Sequence, residues 1–140
     1  MKINKIHIKN FKSITTIKLD NISSFSIFAG ANGVGKSNIF EAIEFFKTII
    51  LLDANAAVKR YGGYDNIHSR KMINTNARKF LFEIEIEIKE KYNFKLEVND
   101  LDKEPYLKET FMINSKIIAK RDKSTVSIHG KPLDLSVSKE

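Results

Sequence analysis

Eight consecutive residues, Gly30-Ala31-Asn32-Gly33-Val34-Gly35-Lys36-Ser37, have the types and spacing that chemistry on a phosphate chain requires. They fill every fixed position of G-x-x-x-x-G-K-[ST], the Walker A pattern. Glycines let the backbone wrap a phosphate chain so that successive N–H groups point inward as an anion nest. Lys36 adds a cation that reaches the β- and γ-phosphates, and the Ser37 hydroxyl is the candidate Mg²⁺ ligand. A chance match in a chain of this size is on the order of one in a few hundred at ordinary glycine usage.

Such a loop works only between a strand and a helix, and both neighbours read that way. Ser24-Phe25-Ser26-Ile27-Phe28-Ala29 has the character of a short buried strand, and Asn38-Ile39-Phe40-Glu41-Ala42-Ile43 opens a helix. The helix is apolar through Leu52, apart from a narrow stripe of Glu41, Glu44, Lys47 and Thr48, which predicts burial on several sides. Its phenylalanines are expected in the core. Asp53 to Arg60 can continue it, with Gly62-Gly63 as the stop.

Upstream, Ile3, Ile6 and Ile8 align imperfectly and Thr16–Leu19 alternates better, so residues 2–20 predict two strands. Asn10-Phe11-Lys12-Ser13 lies between them. Two readings stand side by side for it: a hairpin connection with a buried Phe11, or a turn that brings Lys12 and Ser13 to a nucleotide or a DNA backbone. Residues 61–78 are polar and irregular, the kind of segment that is more often functional or mobile than decorative. Within it His68 could face a γ-phosphate or a metal, although a solvated histidine is the plainer reading.

Beyond residue 79 the period becomes 2. Phe80, Phe82, Ile84, Ile86 and Ile88 share one face and Glu83, Glu85 and Glu87 the other, while Tyr92, Phe94, Leu96 and Val98 repeat the alternation. Further strands are predicted at Thr110–Ile113, Lys116–Lys120 and Thr125–His129, joined by turns at 114–115 and 122–124, with Gly130-Lys131-Pro132 as a last turn. The glutamates read as a solvated row pairing with lysines across the strands.

With 140 residues the chain supports one core. It has no cysteine, no signal-peptide pattern and no apolar run of membrane-spanning length, so a cytoplasmic location without a membrane partner is expected. The net charge of +7 admits DNA or RNA as a partner, but the lysines are scattered and only Arg60, Arg70, Arg78 and Arg121 are arginines.

Hydrolysis requires more than a phosphate cradle: a carboxylate for Mg²⁺ at the end of a buried parallel strand and a group that activates water. Phe80-Leu81-Phe82-Glu83 is the superficial candidate, and the alternation that follows excludes it. The chain holds no glutamine and no Leu-Ser-Gly-Gly stretch. A kinase-like reading would want a lid of clustered arginines, which four scattered ones do not supply.

Ile8-Lys9-Asn10-Phe11-Lys12-Ser13, then Ala29 to Asn38, then Phe40-Glu41-Ala42-Ile43 resemble the ABC-type ATPase heads of SMC, RecF and OLD-like proteins. Gly62-Gly63-Tyr64-Asp65-Asn66-Ile67 looks like the connector of OLD-like and related AAA family bacterial ATPases, many of them in phage defence. The likeness is strong to residue 50 and loose to about residue 135. It implies an α/β P-loop NTPase lobe: a P-loop helix packed on a mixed sheet beside an antiparallel β subdomain. Its parts would be a core over 1–60, a connector over 61–78 and a meander over 79–135. ATP and Mg²⁺ would be held by Gly30, Ala31, Asn32, Gly33, Val34, Gly35, Lys36, Ser37 and Asn38, with Lys12 nearby. Two heads would sandwich ATP, as a head-to-head homodimer or with a partner supplying the second half of the site. The signature motif, the Asp-Glu pair and the switch His of such heads have no match here. The expectation is therefore an N-terminal ATP-binding lobe, an ATPase only when completed, with roles in DNA repair or phage defence. The alternative is a stand-alone nucleotide-sensing regulatory module that docks on a partner protein.

Overall fold

The computed structural model describes residues 1–23, 26, 35–72 and 77–133. Its strands form one eight-stranded sheet in the order β2-β1-β3-β4-β5-β6-β7-β8. They are β1 (Lys2–Phe11), β2 (Ile14–Asp20), β3 (Phe80–Glu87), β4 (Lys91–Asn99), β5 (Tyr106–Ile113), β6 (Lys116–Asp122), β7 (Thr125–Ile128) and β8 (Lys131–Pro132). Every pairing among them is antiparallel, so within the described residues the sheet is not the mixed one expected. Of the strand predicted over Ser24–Ala29 only Ser26 is among the described residues; the other five lie outside them. Instead of a separate subdomain, β3 to β8 continue the sheet begun by β1, because β1 has β2 on one edge and β3 on the other.

The imperfect alignment of Ile3 with Ile6 and Ile8 has a local cause. The β1–β3 register shifts between Ile3 and Lys5, and such a bulge carries a strand past an odd spacing without exposing its apolar side chains. Ile6 and Ile8 are buried, and Ile3 packs partly against the same core. At the far end Asn10 turns left-handed at φ 60°, and Phe11 is fully buried.

Helix α1 (Lys36–Leu51) lies on the apolar face of the sheet and buries Ile39, Ala42, Phe45 and Ile49. Phe45 sits in an aromatic cluster, its ring centroid 5.0 Å from Phe80, 5.5 Å from Phe11 and 4.9 Å from Tyr61. Phe46 stacks on Phe82 at 4.2 Å. The expected burial on several sides is only partly met: Phe40, Ile50 and Leu51 remain 56%, 51% and 70% exposed. The helix also stops earlier than the continuous reading allowed. Asp53 begins a second helix, α2 (Ala54–Arg60), by accepting a hydrogen bond from the Ala56 amide at 2.7 Å. That helix ends as the two glycines predict. Gly62 at φ 84° donates to Lys59 O and Gly63 donates to Val58 O, the paired bonds of a Schellman turn.

The meander departs from prediction at its margins. Strand β5 begins at Tyr106, where no alternation announced it. The last turn is His129-Gly130 (φ 48° and 77°), which frees Lys131–Pro132 to pair with β7. The glutamate row on β3 is satisfied chiefly by β1: Lys5 Nζ donates to Glu83 at 2.7 Å and Asn4 donates to Glu87 at 2.8 Å. Lys95, opposite Glu83 in register, instead pairs with Glu97 on its own strand.

Two consequences are measurable. Phe45→Ala would remove the centre of the aromatic cluster, and a loss of about 3–5 kcal/mol is expected in denaturant unfolding. The second concerns pH. Burial and the charges of Lys9 and Lys5 hold His7 below its ordinary 6.5, against the opposing pull of Glu83. Burial alone would raise Glu83, but hydrogen bonds from Lys5 and Asn93 and the charges of Lys5 and His7 outweigh it and hold the carboxyl low. Both groups bind protons more readily when unfolded, so the stability they add is lost on acidification. The unfolding midpoint should fall first as pH drops below 6.5 and again through the carboxylate range, and His7→Gln should remove the upper step.

Candidate phosphate-binding site

Of the phosphate-loop residues, Gly30, Ala31, Asn32, Gly33 and Val34 lie outside the described residues; Gly35, Lys36, Ser37 and Asn38 are described. Gly35 takes φ 90°, a left-handed conformation that an L side chain would adopt only under strain. It is the N-cap of α1 and has no side chain with which to cap the helix. No acidic residue stands in the first turn either, so the partial positive charge of the helix start is not offset by a local carboxylate. That is the electrostatic arrangement an anion favours.

The turn between β1 and β2 closes against this helix start. Asn38 Nδ2 donates to Ser13 Oγ at 2.6 Å, and a Cβ added to Gly35 would meet the same Oγ at 2.7 Å. Glycine at 35 is thus favoured by its φ, and a side chain there would also push the Ser13 hydroxyl from its place against Asn38. One residue earlier, Lys12 Nζ pairs with Glu41 Oε2, one helical turn after Asn38. Of the two readings of the 10–13 stretch, the hairpin connection with a buried Phe11 is met, and the same turn puts Lys12 and Ser13 beside the start of α1.

The same turn grips the connector. Lys12 N–H donates to Ile67 O at 2.7 Å. Asn10, fully buried, donates through Nδ2 to Ala77 O and Lys79 O, both at 2.8 Å, and accepts from Ser69 N–H at 2.7 Å. One side chain thus fastens both ends of the 69–79 stretch. Beside it, Lys12, Ser13, Asp65, His68, Arg70 and Lys71 line a cleft of about 370 Å³. His68 is half-buried and not simply solvated: its ring stacks on Tyr64 at 4.1 Å and its Nδ1 lies 2.9 Å from Tyr64 O.

Sequence reasoning missed Asn10 and Glu41. The signal available for Asn10 was an asparagine where a strand must turn left-handed, a conformation this residue tolerates better than most. Glu41 gave none, since a glutamate on a polar helix stripe looks solvated. Glu83, excluded above as a metal carboxylate, is occupied by Lys5 and Asn93 on an antiparallel strand. No group of three or more metal-ligating side chains occurs among the described residues. No helix among them is long and apolar enough to cross a membrane.

The chain is 47% identical over 45 residues to the DNA replication and repair protein RecF of Lactococcus lactis subsp. cremoris, which covers 32% of the chain and 12% of that protein. It is 38% identical over 73 residues to the chromosome partition protein Smc of Methanocaldococcus jannaschii, covering 49% of the chain and 6% of that protein. RecF of Geotalea uraniireducens is 34% identical over 64 residues, covering 44% and 18% respectively. In each case the chain spans less than a fifth of the relative's length. A family model for the AAA ATPase domain matches residues 1–133. The chain, related in part to RecF and Smc, belongs to the AAA ATPase domain family as an SMC/RecF-like P-loop ATPase segment.

Proposed function

We propose that this lobe binds Mg·ATP through Gly30–Ser37 and that hydrolysis takes place only when a second half completes the site. The observation that carries this reading is the start of α1. A left-handed glycine leads directly into a helix whose first residue is the motif lysine, with no capping side chain on Gly35 and no acid in the first turn. In this reading the loop amides and Lys36 hold the phosphates, Ser37 ligates Mg²⁺, Asn38 braces the loop through Ser13, and Lys12 approaches from the side.

The need for a second half follows from charge. Phosphoryl transfer to water requires carboxylates around Mg²⁺, and the described acidic residue nearest the helix start in sequence, Glu41, is paired with Lys12. The completing half would bring a signature motif and an Asp-Glu pair, in a head-to-head homodimer or on a partner. The likeness to RecF, a DNA replication and repair protein, and to Smc, a chromosome partition protein, directs the choice of process toward DNA replication, repair or chromosome partition; an OLD-like role in phage defence is the other branch. DNA is the nucleic-acid partner this reading favours.

Isothermal titration with Mg·ATP tests the binding claim. Lys36→Ala should weaken binding by about thirty-fold, as loss of a charge-assisted contact worth ~2 kcal/mol implies. Ser37→Ala should bind ATP while losing the enhancement given by Mg²⁺. Equal affinity of wild type and Lys36→Ala would sink the assignment. Phosphate release from the lobe alone should stay at background and rise when the acidic half is added.

A further inference from the structure

Lys12 stands at the meeting point of three elements, and only its side chain is placed to change partner. Its backbone is held in the left-handed region at φ 50°, with its N–H bonded to Ile67 O at 2.7 Å. The neighbouring Ser13 is locked to Asn38 at 2.6 Å. The ammonium is thereby tethered beside the start of α1, where it pairs with Glu41. Glu41 is five residues beyond Lys36, the first residue of α1, so its backbone stands about one and a half turns, ~7.5 Å along the axis, from the helix start. A lysine side chain covers that distance by rotation about its own bonds.

We propose that Glu41 is a built-in competitor of the nucleotide for Lys12: it occupies the ammonium in the empty lobe and yields it to the phosphates when ATP binds. This rests on the phosphate-binding reading of Gly30–Ser37. The magnitudes suit an exchange rather than a fixed brace. Lys12 and Glu41 are 34% and 44% exposed, and pairs with that much access to water contribute little net free energy, so a polyphosphate of higher charge displaces the carboxylate readily. A deeply buried pair would instead leave an uncompensated charge on breaking. Glu41 would oppose the nucleotide in two ways, by holding Lys12 and by repelling the incoming phosphates.

The competition makes a prediction opposite to that of a helper residue. If Glu41 merely positioned Lys12 for the phosphates, its loss would weaken binding. As a competitor, its loss tightens binding. Titration of Mg·ATP at low ionic strength into wild type, Glu41→Gln, Lys12→Met and the double variant decides between them. Glu41→Gln should bind about two- to five-fold more tightly than wild type, the range an exposed ion pair allows. Lys12→Met should bind more weakly, and in that background Glu41→Gln should add at most a small residue of the gain. Thermal melts of all four confirm that each is folded. Since both side chains are partly exposed and conservatively replaced, melting within a few degrees of wild type is expected.

Three results overturn the proposal. Unchanged or weaker binding by Glu41→Gln makes Glu41 inert or a helper. An equal gain in the Lys12→Met background reduces its effect to charge repulsion alone. Equal ATP affinity of wild type and Lys36→Ala removes the phosphate site itself, and the proposal with it. Affinity that depends on Lys36 but not on Glu41 sinks the proposal alone.

Discussion

The described structure depends on how β1 ends. Asn10 is fully buried, takes a left-handed backbone conformation, and directs its one carbonyl and one amino group to Ser69 and Ala77 of the connector and to Lys79 just beyond it. A strand can turn sharply inside a core only if the polar groups thereby exposed to apolar surroundings find partners. Asn10 supplies them and, in doing so, ties Ser69, Ala77 and Lys79 to the end of β1. Phe11 then drops into the aromatic cluster with Phe45 and Phe80, and Lys12 and Ser13 are delivered to the start of α1. Four consecutive residues thus join sheet, connector and phosphate-loop helix, and each does so by a different kind of interaction.

That economy explains what could be read from the sequence. The family was legible because the Walker A pattern requires fixed residue types at fixed spacing, and the strands of β3 and β4 because a half-wet antiparallel sheet enforces strict alternation. The Schellman turn at Gly62-Gly63 was legible for a similar reason, since left-handed positions select glycine. What escaped was long-range. The local pattern of β1 does not say that β3, some seventy residues away, will take its second edge, and so the sheet was expected as two parts instead of one. The break at Asp53 escaped because the apolar run continues to Leu52, and a single aspartate reads equally as a surface residue or as a cap.

The site was legible to a different degree. Family resemblance puts Lys12 near the nucleotide; the structure puts it beside α1 on Glu41, a partner that was invisible because Glu41 shares a stripe with ordinary solvated residues. Side-chain pairings between elements remote in sequence leave no periodic trace. They appear only once the turn that joins the elements is known.

The sheet itself is unevenly protected. Strands β1, β3 and β4 carry buried residues under α1, whereas none of the residues of β5, β6, β7 and β8 is buried. Such an extension would invite another chain to pair along its rim, the hazard of every open sheet. Among the described residues the rim strand β8 is two residues long, Lys131–Pro132, with a charge at the first position and no amide hydrogen at the second. Among the described residues the half-exposed side of the sheet thus ends in a strand too short and too ill-equipped to recruit a neighbour.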